Sequence, residues 1–578
     1  MKLFAVKEIT QKNSLSFLVF FVSVSYAFFG IIISRYQRFL DIDESGYAYM
    51  AFNNWNAFHR GGFVQLALSI LSQPLHAPIQ PALSSIMFAI TGPKILSLFI
   101  IPSISLSLIL VICFKISTHY LDVNRSLFTT FSILSIPILL KFSHTYIFAT
   151  ITTLSILYCY YTIIYKFQIN RKFHIYVGFI LALVPLTRTV SIIFVPSLIF
   201  LLIVQNFRLF KIYSINRILQ NISLTLFATL SLISPWLYFN FNAVSTYFRL
   251  FGYGSFSNDY GNKSSIFVLN TWFNDLFALF RYDLSLIFVS TFSFLIIFLI
   301  FKLIKKDLVV SNKLTDKINI KFGFLQFLLL YVIPISILNS TSNQGYGFRL
   351  IYYVAFFLWV TIFVVKFLPK IFLKASWLIL VISLILNIVP KQLIDSFNLQ
   401  SQINVKNELL INIYTKNELI NDYLKGGLNS DFFASKPNSN WYLNTREGFD
   451  SFNIAHVEVL RFLESKNLDS QNLLLAFRHR LFNPNSLNLI RAKEGQSLIP
   501  ISFLPVNSSS PLTSVDLMEF GLTNYCLVAI SEGNVNEILP ESNQETILNI
   551  LINSYYLQIY NSQLPDGRTI LIFKKPRC

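Results

Sequence analysis

Three carboxylates close together are the first residues in the chain that could do chemistry. Asp41, Asp43 and Glu44 follow an apolar segment, residues 14–36, that carries no charge before Arg35. Carboxylates at a membrane boundary are costly unless they face water or take part in a reaction. A carboxylate that is partly removed from water is also a stronger base towards a hydroxyl nucleophile. Asp43 and Glu44 are therefore our candidate catalytic pair.

These acids also admit plainer interpretations. Asp43 or Ser45 could cap a helix that runs on through Tyr47, because short polar side chains accept hydrogen bonds from the first helical amides. Asp41 and Asp43 also form the D-x-D pattern of some divalent-metal sites, which would need further oxygen or imidazole ligands. We predict no metal and no other cofactor, and keep a divalent cation as the lesser alternative.

A histidine lies in a proline-rich segment ahead of the next apolar stretch. Residues 73–81 read QPLHAPIQP, and the histidine is His76. Prolines restrict the backbone and place a rigid turn before a helix. His76 could bind a carboxylate or a phosphate, or could be an ordinary polar residue of the membrane interface. The acidic and the histidine-bearing segments together predict an active site at the outer membrane surface.

Two arginines are candidates for binding a phosphate. Arg188 lies between two apolar segments, and Arg349 follows the glycines Gly345 and Gly347, which would let a ligand approach the backbone. A guanidinium offers a planar fork of donors that fits a phosphate. The alternative is an arginine whose head reaches a lipid headgroup. Similarly, we expect Trp236 to be an anchor at the outer interface.

The composition is that of a membrane protein. Of the 578 residues, 54% are hydrophobic and 13% are charged, about half of the charged fraction usual in soluble domains. The net charge of +18 reflects the excess of basic residues in cytoplasmic loops and contact with anionic lipid. We predict no binding to nucleic acid, since no basic stripe or recognition motif is present.

About eleven apolar segments are long enough to cross a hydrocarbon layer of about 30 Å. They are residues 14–36, 94–116, 126–143, 146–165, 174–188, 189–205, 219–239, 284–301, 322–338, 349–366 and 375–391. The basic connections are 166–172, 208–217, 302–321 and 366–374, and we expect all of them to face the cytoplasm. The N-terminus then lies inside as an uncleaved signal-anchor, and the C-terminus lies outside.

This orientation makes residues 174–205 cross the membrane twice, with Arg188 at the outer tip of a helical hairpin. The alternative is one long tilted helix that buries Arg188 and inverts everything downstream. We favour the hairpin. The exterior segment 37–93 then carries the acids and His76 as a catalytic loop.

Residues 392–578 differ from the rest, because charge becomes denser and the apolar runs shorten to the length of strands. Residues 473–477, 526–530 and 556–560 look like strands, 453–465 and 544–553 look like helices, and 564–568 forms a turn before a last strand. This predicts a soluble extracytoplasmic α/β domain after a transmembrane domain at 1–391. Cys526 and Cys578 could pair in an oxidising compartment, which the sequence leaves open.

An ordered set of short motifs resembles the GT-C membrane glycosyltransferases, which include protein O-mannosyltransferase-like enzymes and lipid A aminoarabinose transferases. Residues 43–47 look like their D-E-x-x-Y stretch, and 75–79 look like their H-P-P-L stretch. Residues 235–236 are similar to their P-W, and 347–350 resemble their R-Y segment. The departures are Ala77 in place of the first proline, Leu350 in place of the tyrosine, and no acid in residues 143–146, where His144 stands.

The resemblance implies an α-helical polytopic membrane protein that is GT-C-like, with a soluble domain after the spans. It implies a sugar donor linked to polyprenyl phosphate and transfer with inversion. Asp43 would be the catalytic base, with Glu44 beside it, while Arg349 and Arg188 would bind the lipid phosphate. The other substrate-binding candidates are Asp41, Tyr47 and His76.

The residues themselves agree with a donor carried on a lipid, since an exterior site has no supply of nucleotide sugars and no G-x-G-x-x-G or Walker pattern is present. The acceptor could be a glycolipid, a surface polysaccharide or a protein hydroxyl, and we expect a bacterial inner membrane. An O-antigen-type polymerase or ligase is one alternative. A secondary transporter is another, although it would predict repeats that the sequence does not show.

Overall fold

The structure of the protein, a computed structural model, describes two groups of elements, a set of apolar helices followed by a smaller mixed α/β part. The described residues are 2–35, 40, 42–73, 77–136, 139, 142–143, 145–208, 213–249, 293–294, 296–298, 330–331, 334, 348–388, 446–477, 479, 481–503, 521–532, 541–565, 567–576 and 578. The predicted domain boundary at 391 lies outside these residues and stays a prediction.

The first part is helical throughout. Its helices are α1 (Lys2–Arg35), α2 (Ile42–Leu71), α3 (Ile79–Thr91), α4 (Ile95–Leu98), α5 (Ile100–Ser117), α6 (Val123–Leu134), α7 (Ala149–Tyr165), α8 (Arg171–Thr187), α9 (Val195–Arg208), α10 (Ile215–Tyr247), α11 (Phe348–Phe367) and α12 (Lys370–Ile388), with a 3₁₀ segment at Thr189–Phe194. One large apolar core joins α1 and α5 to α9 with α11 and α12.

Four of the described helical stretches are long and apolar enough to cross a membrane. They are Asn13–Ile31, Ile95–Ser117, Thr189–Arg208 and Ile215–Thr246. Ile79–Thr91, Ala149–Tyr165 and Tyr353–Phe367 are apolar but shorter. The predicted spans 284–301 and 322–338 lie largely outside the described residues. The structure thus confirms a bundle of membrane-type helices, and the count of about eleven spans stays a prediction.

One predicted span contains the end of a helix. The segment 126–143 was expected to cross the membrane, but α6 ends at Leu134 after 12 residues. A helix of that length reaches about 18 Å, which is too short for a hydrocarbon layer of about 30 Å. Pro137 lies three residues further on and has no amide hydrogen to continue the helical bonding. Hydropathy alone did not reveal this break.

The helix break predicted around Arg188 is present. Helix α8 ends at Thr187, and Arg188 has an extended backbone with φ −159° and ψ 121°. The 3₁₀ segment and α9 follow it. The structure therefore contains two segments here and not one long helix. Gly178 lets α8 approach α10 closely, because an added Cβ would meet the Thr225 carbonyl oxygen at 2.6 Å.

Helix α2 folds back on itself, so the predicted exterior loop is mostly helical. At the bend, Gly62 has a φ of 64°, a conformation that glycine adopts at little cost. Asn54 Oδ1 accepts hydrogen bonds from Ser69 Oγ at 2.7 Å and from Gln73 Nε2 at 2.8 Å, which joins the two arms. The second arm therefore returns the chain towards the start of α2, where α3 begins.

The C-terminal part is built on a mixed sheet. Its elements are α13 (Arg446–Ser465), β1 (Leu473–Leu475), α14 (Pro484–Lys493), β2 (Ile501–Phe503), β3 (Leu527–Glu532), α15 (Glu541–Asn553), β4 (Leu557–Gln563) and β5 (Thr569–Lys574). The strand order is β2-β1-β3-β5-β4. β1 pairs in parallel with β2 and β3, whereas β5 pairs antiparallel with β3 and β4. The predicted strands, helices and final turn are all confirmed, with Gly567 at φ 90° in that turn.

A disulfide closes this sheet. Cys526, directly before β3, is bonded to Cys578 after β5, with a Cα–Cα distance of 5.6 Å. Disulfides persist in oxidising compartments and are rare in the cytosol. The bond supports the predicted position of this part outside the cytoplasm.

Candidate functional site

The two acids predicted to do chemistry lie in the first turn of α2 and have opposite environments. Asp43 is exposed, whereas the Glu44 side chain has a relative exposure of only 1%. Negative charge in this turn is favoured by the partial positive charge of the helix N-terminus. One carboxylate therefore faces solvent and the next is enclosed, although the two residues are adjacent in the chain.

Glu44 connects three elements of the fold. Its Oε1 accepts a hydrogen bond from the backbone N–H of Tyr146 at 2.7 Å, just before α7. The Tyr146 hydroxyl in turn donates to Ser84 Oγ on α3, also at 2.7 Å. All three residues are buried. The Glu44 carboxylate thereby joins α2, α3 and the segment before α7, whereas the adjacent Asp43 is exposed.

We expect Glu44→Ala to lower the free energy of unfolding by about 1–3 kcal/mol, because it leaves a buried amide without its acceptor. Glu44→Gln keeps an oxygen at that place and should retain most of the stability. Melting of the purified protein in detergent measures both. Full stability of Glu44→Gln combined with a complete loss of activity would instead identify Glu44 as the base.

Tyr47 lies one helical turn after Asp43, so the two side chains share a face of α2. The Tyr47 ring packs against Phe148 with 3.9 Å between centroids, and the residue is half-buried. An aromatic surface thus stands beside the exposed carboxylate, which suits the apolar face of a sugar or a lipid chain.

Two predicted site residues, Asp41 and His76, lie outside the described residues. The chain is described directly beyond His76, where Ala77 is buried and Ile79 packs with Leu186 and Trp236. Leu186 precedes Arg188 by two residues. The start of α3, next to His76, is therefore close to the end of α8, next to Arg188.

Of the two arginines predicted to bind phosphate, the structure describes the side chain of Arg188 and only the backbone of Arg349. Arg188 is half-buried at the end of α8, and its carbonyl oxygen accepts hydrogen bonds from the backbone and side chain of Ser191 at 2.9 and 2.6 Å. Arg349 lies in the first turn of α11. The Arg349 side chain is outside the described part of the chain, so its role stays a prediction.

Trp236 is not the lipid-facing anchor that the sequence suggested. Its relative exposure is 3%, and its indole Nε1 donates to the Gln73 carbonyl oxygen at 3.3 Å. Asn240, one turn later on α10, donates to the Leu71 carbonyl oxygen at 2.6 Å. Helix α10 thus holds the end of α2 directly before the His76 segment. This contact joins residues 163 apart, so no local pattern could have indicated it.

The C-terminal part docks on the helix that carries the acids. Asn56 Nδ2 donates to the Ala492 carbonyl oxygen, and an Arg60 guanidinium nitrogen donates to the Gly495 carbonyl oxygen, both at 2.6 Å. Gly46, two residues after Glu44, lies so close to Asn485 that an added Cβ would meet its Nδ2 at 2.9 Å. The side of α2 next to the acids is therefore covered by α14.

Among the residues that the structure describes, no group of three or more His, Cys, Asp or Glu side chains could hold a metal ion. Asp41 and His76 do not belong to that set, so the expectation that the protein uses no metal stays a prediction.

No protein-family model and no curated protein matches this sequence. Two solved structures are similar to the chain as a whole. The crystal structure of ArnT from Cupriavidus metallidurans bound to undecaprenyl phosphate has 11% sequence identity and a TM-score of 0.47, covering 98% of both chains. The apo structure of the same protein has 12% identity and a TM-score of 0.45, with the same coverage.

Proposed function

We propose that this protein is an integral membrane glycosyltransferase. It moves a sugar from a polyprenyl-phosphate carrier to an acceptor hydroxyl outside the cytoplasm, with inversion. The observation that carries the proposal is the exposed Asp43 in the first turn of α2, one turn before Tyr47 and next to the buried Glu44, which fixes this turn to Tyr146. This arrangement supplies a base with a fixed backbone next to a membrane helix.

Two contacts support a position of the acids outside the cytoplasm. The C-terminal part contains the disulfide between Cys526 and Cys578, which favours an oxidising compartment. That part is hydrogen-bonded to α2 through Asn56 and Arg60. Asp43 and the disulfide therefore share one side of the membrane. We place the N-terminus in the cytoplasm and the protein in a bacterial inner membrane, with residues 1–391 as the transmembrane domain and 392–578 as the exterior one.

In the proposed reaction the Asp43 carboxylate accepts the proton of the acceptor hydroxyl. The hydroxyl oxygen attacks the anomeric carbon on the face opposite the lipid phosphate. The new glycosidic bond forms as the bond from the anomeric carbon to the phosphate oxygen breaks, which inverts the configuration. The leaving group is polyprenyl phosphate, which requires stabilisation by cations and no proton at neutral pH.

We assign the phosphate of the carrier to Arg349 and Arg188, and contacts to substrate to Tyr47, Asp41 and His76. The arginines suit a phosphate because their donors match two of its oxygens at once. The assignment is supported by the apolar cluster that contains Leu186, because Ile79 packs against it and the start of α3 is therefore near the end of α8. The acceptor is a glycolipid, a polysaccharide or a protein.

We expect Arg349→Ala to weaken binding of polyprenyl phosphate by about 10–100-fold, the loss typical for a charge-assisted hydrogen bond. Binding is measured by the shift of melting temperature over a series of lipid concentrations. Arg217→Ala is the matched control, because Arg217 lies near the start of α10 against the Tyr213 ring, in a connection predicted to be cytoplasmic. Equal binding by wild type and Arg349→Ala would remove Arg349 from the site.

The experiment that tests the function is transfer by the purified protein from synthetic polyprenyl-phospho-hexoses, with release of polyprenyl phosphate followed by mass spectrometry. Release that depends on an added acceptor, with inversion at the anomeric carbon, is the expected result. Failure to react with any such donor would contradict the proposal and would favour a polymerase, a ligase or a transporter.

A further inference from the structure

Gln80, near the start of α3, has a buried side chain whose hydrogen-bonding capacity is unused. Its relative exposure is 0%, and neither Oε1 nor Nε2 has a hydrogen-bond partner. Among the buried carboxamides of the described residues, it is the only one in which both ends are unpaired. Burying an amide without partners is costly, so such a group calls for an explanation.

Gln80 belongs to the face of α3 that lies against α2. Gln80, Ser84 and Phe88 are spaced four residues apart and share that face. The Phe88 ring lies 4.8 Å from the Phe52 ring on α2, and Ser84 accepts the hydrogen bond of Tyr146. The unpaired amide is therefore one helical turn before the residue that binds Tyr146.

Hydrogen bonds connect this face of α3 to the first turn of α2. Tyr146 joins the two helices, since its backbone N–H donates to Glu44 and its hydroxyl donates to Ser84. Gln80 lies one helical turn before Ser84, on the same buried face of α3. The unpaired Gln80 amide is thus in the interior, one turn of α3 from the residue that Tyr146 links to Glu44.

The chemistry of a carboxamide selects the kind of group that it can bind. It offers one acceptor and one donor centre with no charge, which matches hydroxyls, since each hydroxyl both donates and accepts. A phosphate is bound better by an arginine, which carries a positive charge. A charged substituent of the sugar, buried at this position, would need a counter-ion, which a carboxamide does not supply. The amide therefore fits the neutral, hydroxyl-bearing ring of a sugar.

We infer that Gln80 binds hydroxyl groups of the sugar that is transferred, and that this sugar presents an uncharged face to α3. The inference rests on the proposed function and adds a residue that determines sugar specificity. In the ligand-free protein the unpaired amide is a cost that binding of the sugar removes. Gln80 therefore contributes to affinity for the sugar and not to stability of the fold.

The test is the substitution Gln80→Met, which keeps the length of the side chain and removes both polar ends. Two probes are used on the full-length protein in detergent, polyprenyl phosphate and polyprenyl-phospho-glucose. We expect about 10–100-fold weaker binding of the sugar-bearing probe and unchanged binding of the sugar-free one, because a site built to bind a hydroxyl loses its contact. The melting temperature of the ligand-free variant should be equal to or above that of wild type.

Gln544→Met is the matched control, because Gln544 is a buried glutamine of α15 with an unpaired Nε2. It should leave the binding of both probes unchanged. If Gln80→Met lowers the melting temperature and weakens the binding of both probes equally, Gln80 has a structural role and the inference is overturned. Unchanged binding of both probes by Gln80→Met would overturn it as well. If wild type binds neither probe, the proposed function fails, which is a different result.

Discussion

Asp43→Asn is expected to lower sugar transfer by about 10²–10⁴-fold, the usual contribution of a positioned general base. Asparagine keeps the size and shape of the side chain but cannot accept the proton of the acceptor hydroxyl. Because Asp43 is exposed in the first turn of α2, its replacement disturbs no buried contact of its neighbour Glu44. The measurement is the rate of release of polyprenyl phosphate at saturating donor and acceptor.

The control for this variant is Asp122→Asn. Asp122 is likewise an exposed acid at a helix start, where its side chain accepts from the Arg125 amide, and asparagine caps a helix equally well. This control should retain full activity and stability. Equal turnover by Asp43→Asn and wild type would reduce Asp43 to a charge that stabilises the helix N-terminus. The base would then have to be Glu44 or Asp41.

Replacing both Cys526 and Cys578 by serine should destabilise the C-terminal part by about 4 kcal/mol, the entropic estimate for cysteines 52 residues apart. The bond connects the residue before β3 to the chain end after β5, and these strands pair directly. Loss of the cross-link should therefore expose the sheet to protease. The measurement is the rate of limited proteolysis of full-length protein in detergent.

A reductant provides the internal control for this experiment. It should make the wild-type protein as sensitive to protease as the double serine variant and should not affect that variant further. Cys113 and Cys159 are buried free thiols in the helical part, so they give the background in thiol labelling. Full reaction of Cys526 and Cys578 with a thiol reagent, without prior reduction, would show that the disulfide is absent. It would also remove the support for an oxidising compartment.

The same disulfide bears on how the site is assembled. The sheet that it closes belongs to the part that contacts α2 through α14, where Asn485 lies against Gly46. A loosened C-terminal part should therefore disturb the helix that carries Asp43. This coupling joins distant parts of the chain, since the hydrogen-bonded residues Asn56 and Ala492 are 436 residues apart.

Features that depend on composition and on neighbouring residues could be read from the sequence. The membrane class follows from 54% hydrophobic and 13% charged residues. The strand near Leu473 and the break at Arg188 follow from short local patterns, and the structure contains both. The acids in the first turn of α2 were also recognisable, because charges that follow a long apolar segment are a local signal.

Only the tertiary structure distinguished the environments of Asp43 and Glu44, because two adjacent acids look alike in a sequence. The partners of Glu44 and Tyr146 are 102 and 62 residues away, and no periodic pattern records such contacts. The break after α6 was missed because hydropathy measures solvent preference and not the hydrogen bonding of the helix. Burial of Gln80 and docking of α14 on α2 likewise depend on which surfaces meet. The sequence by itself determined which residues could react and that the chain lies in a membrane, and packing between distant elements decided which of these residues are exposed and which are buried.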